Sequence, residues 1–146
     1  MRISKKGEYG VRAMFDLAQR YGQGPVQSHD IASRQGIDEN YLNQILILLR
    51  KAKLIDSLRG PQGGHMLARS PEQISLLDVL TVLEGPLMPE EVGGNSEHAS
   101  QPGDRELVRQ AWGELRTAVE RVADGITLDD LRQRKREQAG EVMYYI

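Results

Sequence analysis

The sequence predicts a mainly α fold with a small β-wing: a winged helix-turn-helix followed by a long dimerisation helix. Three observations carry this. Apolar residues recur three and four apart over residues 5–21, 38–51 and 104–123. Gly36 stands between the second and third helical stretches, where a helix-turn-helix needs a tight turn. Two short β candidates flank Arg59-Gly60-Pro61-Gln62-Gly63-Gly64-His65, a loop dense in turn residues.

In the first stretch, Val11, Met14, Phe15 and Ala18 share a helical face from Ser4 or Lys5 to about Tyr21, and Gly22-Gln23-Gly24-Pro25 stops it. Ser28 is the expected N-cap of the second helix, with Ile31 and Ala32 as its apolar contacts. Asp38 caps a third helix reaching about Lys51. Tyr41, Leu42, Ile45, Leu46, Leu48 and Leu49 form its apolar side, and Asn40, Asn43 and Gln44 lie toward the other. Leu54–Leu58 and Met66–Ala68 read as the two strands. Ser75 caps a fourth helix that Gly85-Pro86 closes. The long amphipathic helix is Asp104–Ala123, and Thr127 caps a last one from Leu128 to about Arg136. The expected organisation is a DNA-binding winged helix-turn-helix domain over 1–85, a loop over 86–103, dimerisation helices over 104–137 and a C-terminal tail over 138–146.

Charge is unevenly spread. Residues 1–70 hold 11 Lys/Arg against 6 Asp/Glu; residues 71–146 hold 8 against 15. A basic half joined to an acidic half suits a nucleic-acid reader with a separate partner region. Chance clustering on two solvated surfaces is the alternative. The chain has no cysteine, which excludes disulfides, thiol catalysis and thiolate metal or iron–sulfur ligation. No apolar run nears the roughly 20 residues of a membrane span. Glu8, Arg12 and Asp16 interrupt any signal-peptide core, so the expected compartment is the cytoplasm.

A helix-turn-helix with a two-stranded wing places one helix in the major groove of double-stranded DNA. The first turns of the third helix carry Asp38, Glu39, Asn40, Tyr41, Asn43 and Gln44. Asn and Gln suit adenine edges, and Tyr41 can donate to a phosphate. Arg50, Lys51 and Lys53 offer further phosphate contacts. Gly60, Pro61, Gly63 and Gly64 let the wing backbone approach DNA closely, and Arg59 suits a narrow minor groove. Arg2, Lys5 and Lys6 read as a backbone clamp, and Ser28 joins the DNA-facing set at the start of the second helix. Three plain alternatives stay open: Asn43 and Gln44 as polar surface, Tyr41 packed on the first helix, and the glycine loop as an ordinary hairpin.

These residues resemble the bacterial Rrf2 family of winged-helix regulators. The likeness rests on Ser4-Lys5-Lys6-Gly7-Glu8-Tyr9-Gly10-Val11-Arg12-Ala13-Met14, Gln35-Gly36-Ile37, Tyr41-Leu42, Leu49-Arg50-Lys51-Ala52, Ser57-Leu58-Arg59-Gly60-Pro61, Gly63-Gly64 and Leu83-Glu84-Gly85-Pro86. Ile126-Thr127-Leu128-Asp129-Asp130-Leu131 and the tryptophan-bearing helix extend it. The resemblance implies a homodimer built by the long helix through Leu107, Val108, Ala111, Trp112, Leu115, Ala118, Val119 and Val122. Many members hold an iron–sulfur cluster on three cysteines before that helix. Here the segment has none, and its His98 is expected to be solvent-exposed, so no metal and no cofactor is expected. Asn43 and His65 stand where members often have Glu and Tyr.

Within the family the likeness is strongest to cluster-free repressors of cysteine metabolism, on Pro89-Glu90-Glu91-Val92 and Met143-Tyr144-Tyr145-Ile146. That likeness implies cysteine synthase (O-acetylserine sulfhydrylase) as a partner, with Tyr145 and Ile146 docking in its substrate pocket. A tail packed on its own subunit or left disordered is the alternative. Two rival classes stay weaker. Gly60 to Gly64 is followed by no Lys-Ser/Thr, and no set of catalytic side chains is placed together, which argues against an enzyme. A winged helix that binds only protein would not need the basic surplus or Arg59.

Overall fold

A computed structural model of the chain describes residues 1–88, 101 and 103–144. Three helices form its base: α1 (Lys5–Gln19), α2 (Ser28–Gln35) and α3 (Glu39–Lys51). An antiparallel hairpin follows, β1 (Ile55–Leu58) and β2 (Gly64–Leu67), pairing Ile55 with Leu67 and Ser57 with His65. A single 3₁₀ turn, Pro71–Gln73, leads into α4 (Leu76–Glu84), and then come α5 (Asp104–Asp124) and α6 (Leu128–Tyr144). The expected mainly α fold with a small β-wing and a long later helix is what is observed.

One hydrophobic cluster joins α1 through α4, the hairpin and α6. Met14 and Leu17 of α1, Ile31 of α2, Leu42, Ile45 and Leu49 of α3, Ile55 of β1, and Val79 and Leu83 of α4 are buried in it. Leu128, at the start of α6, joins them. Leu48, expected on the apolar side of α3, is instead exposed. Helix α4 lies against α1 where α1 is thinnest. A side chain at Gly7 would collide with the carboxyl of Glu84, and one at Gly10 with Leu83. Glu84 then accepts from Ser4 N–H (2.8 Å), Ser4 Oγ (2.5 Å) and Gly7 N–H (3.1 Å). A carboxylate at a helix N-terminus satisfies free amides and meets the positive end of the dipole.

Helices α1 and α2 are fixed by a buried charge. Asp16 accepts from Arg34 Nε and Nη2, from Arg20 Nη1 and from Gln35 Nε2. The Asp16 contact comes first among the causes that hold the Arg34 guanidinium above its ordinary pKa, so it stays charged. Gly36 ends α2 in the left-handed conformation (φ 63°, ψ 42°), and Asp38 caps α3 by accepting from Tyr41 N–H at 3.0 Å.

The starts of α4 and α6 are built alike and face each other. Ser75 and Asp78 cap α4 reciprocally, as Thr127 and Asp130 cap α6. A β-type bridge joins Ser75 to Thr127, with Leu76 N–H donating to Ile126 O and Leu128 N–H to Ile74 O. Ser75 Oγ also donates to Asp124 at the end of α5.

Three local expectations are corrected. Gln27, not Ser28, is the N-cap of α2; Ser28 is already helical and its hydroxyl donates toward Glu39 at 3.4 Å. Strand β2 is Gly64–Leu67 rather than Met66–Ala68, because Val26 pairs with His65 from the other side. Helix α6 continues past Arg136 to Tyr144. Most of the 86–103 loop, His98, the Pro89–Val92 stretch, Tyr145 and Ile146 lie outside the described residues.

Candidate nucleic-acid interface

The turn between α2 and α3 leaves one side of α3 uncovered. Asn40, Asn43 and Gln44 are exposed there, as are Arg50, Lys51 and Lys53 farther along. Glu39 is held by the start of α2, from Ser28 Oγ and from His29 Nδ1 at 3.3 Å. Tyr41 is half-buried, its ring edge-on to Tyr9 of α1 at 6.0 Å between centroids. The plain alternative, packing on the first helix, is therefore met for Tyr41, while Asn40, Asn43 and Gln44 stay free to reach outward.

The wing is tied into the body. Val26 N–H donates to His65 O at 2.8 Å, and His65 N–H to Val26 O at 2.7 Å. Val26 thus acts as a third strand position beside β2. Gly64 makes this possible: its φ is +149°, and a β-carbon would stand 2.5 Å from Val26 O. Gln27 Nε2 donates to Pro61 O, linking the start of α2 to the loop at the wing tip. Arg59, Gly60 and Pro61 are exposed at that tip, whereas Gly63 is buried beneath the Leu58 backbone.

Two residues outside the expected set stand where α3 meets the wing. His65 and Ser57 pair across the hairpin, with Ser57 Oγ 2.7 Å from His65 Nδ1. With Asn43, Leu46, Ile47 and Arg50 they line a cleft of about 240 Å³. Burial first, and then the nearby Arg50 charge, holds the His65 imidazole below its ordinary pKa. The alternation of the hairpin, which sets Ser57 and His65 on one face, was the signal that could have found them.

Arg2, Lys5 and Lys6 stand at or just before the start of α1, and the Lys6 charge acts on Glu84. The remaining expected contacts are on α5. Leu107 (65% exposed), Val108, Trp112 (40%), Leu115 and Val122 (64%) form an apolar stripe exposed among the described residues. The C-terminal end of α5 is packed among the described residues, where Val119 and Ala123 meet Leu80 and Leu87. Beside the stripe runs an apolar groove of about 400 Å³, whose lining includes Met1, Ile3, Leu80, Leu87, Val119 and Val122.

A three-helix base with an antiparallel wing on its third helix defines a winged-helix protein. Residues 3–134 match the Rrf2 family, described as an iron-dependent transcriptional regulator, and the chain belongs to that family. It is 40% identical over 146 residues to the HTH-type transcriptional regulator CymR of Bacillus subtilis, covering all of both chains. The solved structure of CymR, the global cysteine regulator of B. subtilis, superposes with a TM-score of 0.77, at 40% identity, over 92% of this chain and 98% of that one. That of T. potens IscR gives 0.75, at 40% identity, over 94% and 90%. These relatives are transcription regulators, not enzymes. The chain has no cysteine, and among the described residues no group of three His, Asp or Glu could hold a metal ion. Among those residues, too, no helix is long and apolar enough to cross a membrane.

Proposed function

We propose that the chain is a dimeric, sequence-specific, cluster-free DNA-binding repressor working in the cytoplasm. The carrying observation is the free outer side of α3, with Asn40, Asn43 and Gln44 exposed next to a wing pinned through Val26. A major groove about 12 Å wide admits such a helix. Asn40, Asn43 and Gln44 then read bases, Arg59 with Gly60 and Pro61 enters the minor groove, and Arg50 meets phosphate. Asp38 and Glu39 shape the first turn of the reading helix. Arg2, Lys5, Lys6 and Ser28 supply backbone contacts, and Tyr41, through its hydroxyl, one more.

In this reading residues 1–85 are the DNA-binding domain, and the stripe on α5, with Ala111 and Ala118 between its larger residues, covers the apolar groove of a second copy. A helix this apolar on one side needs a partner surface. Two reading helices then address a near-palindromic site with half-sites about one turn, or a multiple, apart. The likeness to CymR supports genes of cysteine or sulfur metabolism as targets, and cysteine synthase as a partner met through Tyr145 and Ile146.

Selection of bound duplexes from a random-sequence library, followed by affinity measurement against salt, tests the DNA reading. A recovered palindrome and a steep loss of affinity with salt are expected. Binding to no duplex, or a flat salt response, would favour a winged helix that binds protein alone. Removing Ile146 and titrating cysteine synthase tests the partner; unchanged affinity rejects the tail as its contact.

A further inference from the structure

The cleft between α3 and the wing has an apolar floor, to which Leu46 and Ile47 contribute, and four polar side chains around it. Asn43 and Arg50 come from α3, Ser57 and His65 from the hairpin, and no carboxylate lines it. Each of the four can donate a hydrogen bond. His65 is held firmly there, because its backbone pairs with Val26 on one side and with β1 on the other. Its ring also keeps a partner in either charge state. The Ser57 hydroxyl can donate to an unprotonated Nδ1 or accept from a protonated one.

The position of the cleft follows from duplex geometry. The sugar–phosphate strand is what separates a major groove from the adjacent minor groove. A duplex with α3 in one and the tip of the wing in the other must carry that strand across the space between them. This step rests on the DNA reading above.

We propose that this cleft seats a backbone phosphate of the bound duplex, and that His65 meets it as an imidazolium, so that DNA binding takes up a proton from solvent. In the free protein Arg50 is the charged side chain facing the ring from α3, and burial works in the same direction, so the neutral form is favoured. β1 offers the uncharged Ser57, with Asp56 alternating to the opposite face. The segment from Gly24 to Gln27 offers no charged side chain. A phosphate in the cleft supplies the missing negative charge and offsets Arg50. The ring then binds a proton on its second nitrogen, and no other bond changes. Since the bound state holds more protons, affinity rises as pH falls. Each proton taken up contributes up to about one log unit in affinity per pH unit.

The test uses the full chain and two fluorescent duplexes of equal length, one recovered from the random library and one of mixed sequence, at about pH 6, 7 and 8 and fixed ionic strength. Affinity is expected to tighten by about 3- to 10-fold per pH unit on both duplexes, because the phosphate is common to them. His65→Gln should flatten the response while His29→Gln leaves it. Calorimetry of the unaltered chain in two buffers of different ionisation heat reads the proton directly, so the inference stays testable if His65→Gln fails to fold. Binding that is flat in pH, a slope kept by His65→Gln, a slope lost in His29→Gln, or no proton uptake by calorimetry overturns it. Binding to neither duplex at any pH overturns the DNA reading itself, and this inference with it.

Discussion

Arg34 of α2 grips Asp16 of α1 through two parallel hydrogen bonds, Nε to Oδ1 at 3.0 Å and Nη2 to Oδ2 at 2.9 Å. The carboxylate is 1% exposed and also takes bonds from Arg20 and Gln35. This sets the angle of α2 on α1, and so the stance of α3. In Asp16→Ala the donors lose their shared acceptor, but Arg34 and Arg20, at 35% and 30% exposure, can turn to water. The expected loss is therefore smaller than for a wholly buried pair, roughly 2–3 kcal/mol. Urea unfolding measures it; a loss below about 0.5 kcal/mol would mean that the grip adds nothing beyond a surface pair.

Glu84 makes stability depend on acid. The Ser4 hydroxyl, chiefly, holds its carboxyl below the usual range; burial opposes this, and the Ser4 and Gly7 amides and the Lys6 charge add to the lowering. A depressed carboxyl contributes stability that is complete above its unfolded pKa and is lost as pH falls through the folded one. Its contribution should therefore fade below about pH 4.5. Tm of the unaltered chain should drop more steeply there than that of Glu84→Gln, which has no charge to lose. Parallel curves from thermal melts would remove Glu84 from the linkage.

Trp112 is the sole tryptophan, so its emission reports on the α5 stripe. If a second copy covers the stripe, dilution should shift the emission to longer wavelength as the ring meets water. Leu115→Asp should give a monomer by sedimentation, because it places a charge in a dry interface. A monomer at every concentration in the unaltered chain would reject the dimer.

Arg59→Ala removes the guanidinium at the tip of the wing. About tenfold weaker DNA binding is expected, concentrated on sites with an A·T-rich narrow groove, while α3 contacts keep their base preference. Competition between A·T-rich and G·C-rich flanks reads this. Equal loss on both assigns Arg59 to phosphate rather than to groove shape.

Much of the fold was legible because it is written in local signals. The period of Val11, Met14 and Ala18, the Asp38 cap and the Ser75 and Thr127 caps each specify an element without help from elsewhere. The misses share a cause. Gly64 and His65 read as turn residues, and only the distant Val26 draws them into the ladder. Ser28 has the chemistry of a cap, but Glu39, across the turn, attracts its hydroxyl. Past Arg136 no apolar period marks a helix, yet Glu137, Gln138, Ala139 and Glu141 carry α6 onward on helix propensity, across Gly140. The candidate base-reading residues Asn40, Asn43 and Gln44 were visible on α3, whereas the cleft under the wing needed the hairpin register.

The bridge between Ser75 and Thr127 has a topological consequence. The backbone leaves the body through α4 and re-enters beside its starting point, where Leu76 meets Ile126 and Leu128 meets Ile74. Beyond α4, whose Val79 and Leu83 belong to the core, the stretch up to Thr127, α5 included, is a detour that returns to where α4 began. A detour of this kind can be lengthened, shortened or exchanged while the body that carries α3 and the wing still closes on itself. The winged-helix body can thus accept different arms without being rebuilt.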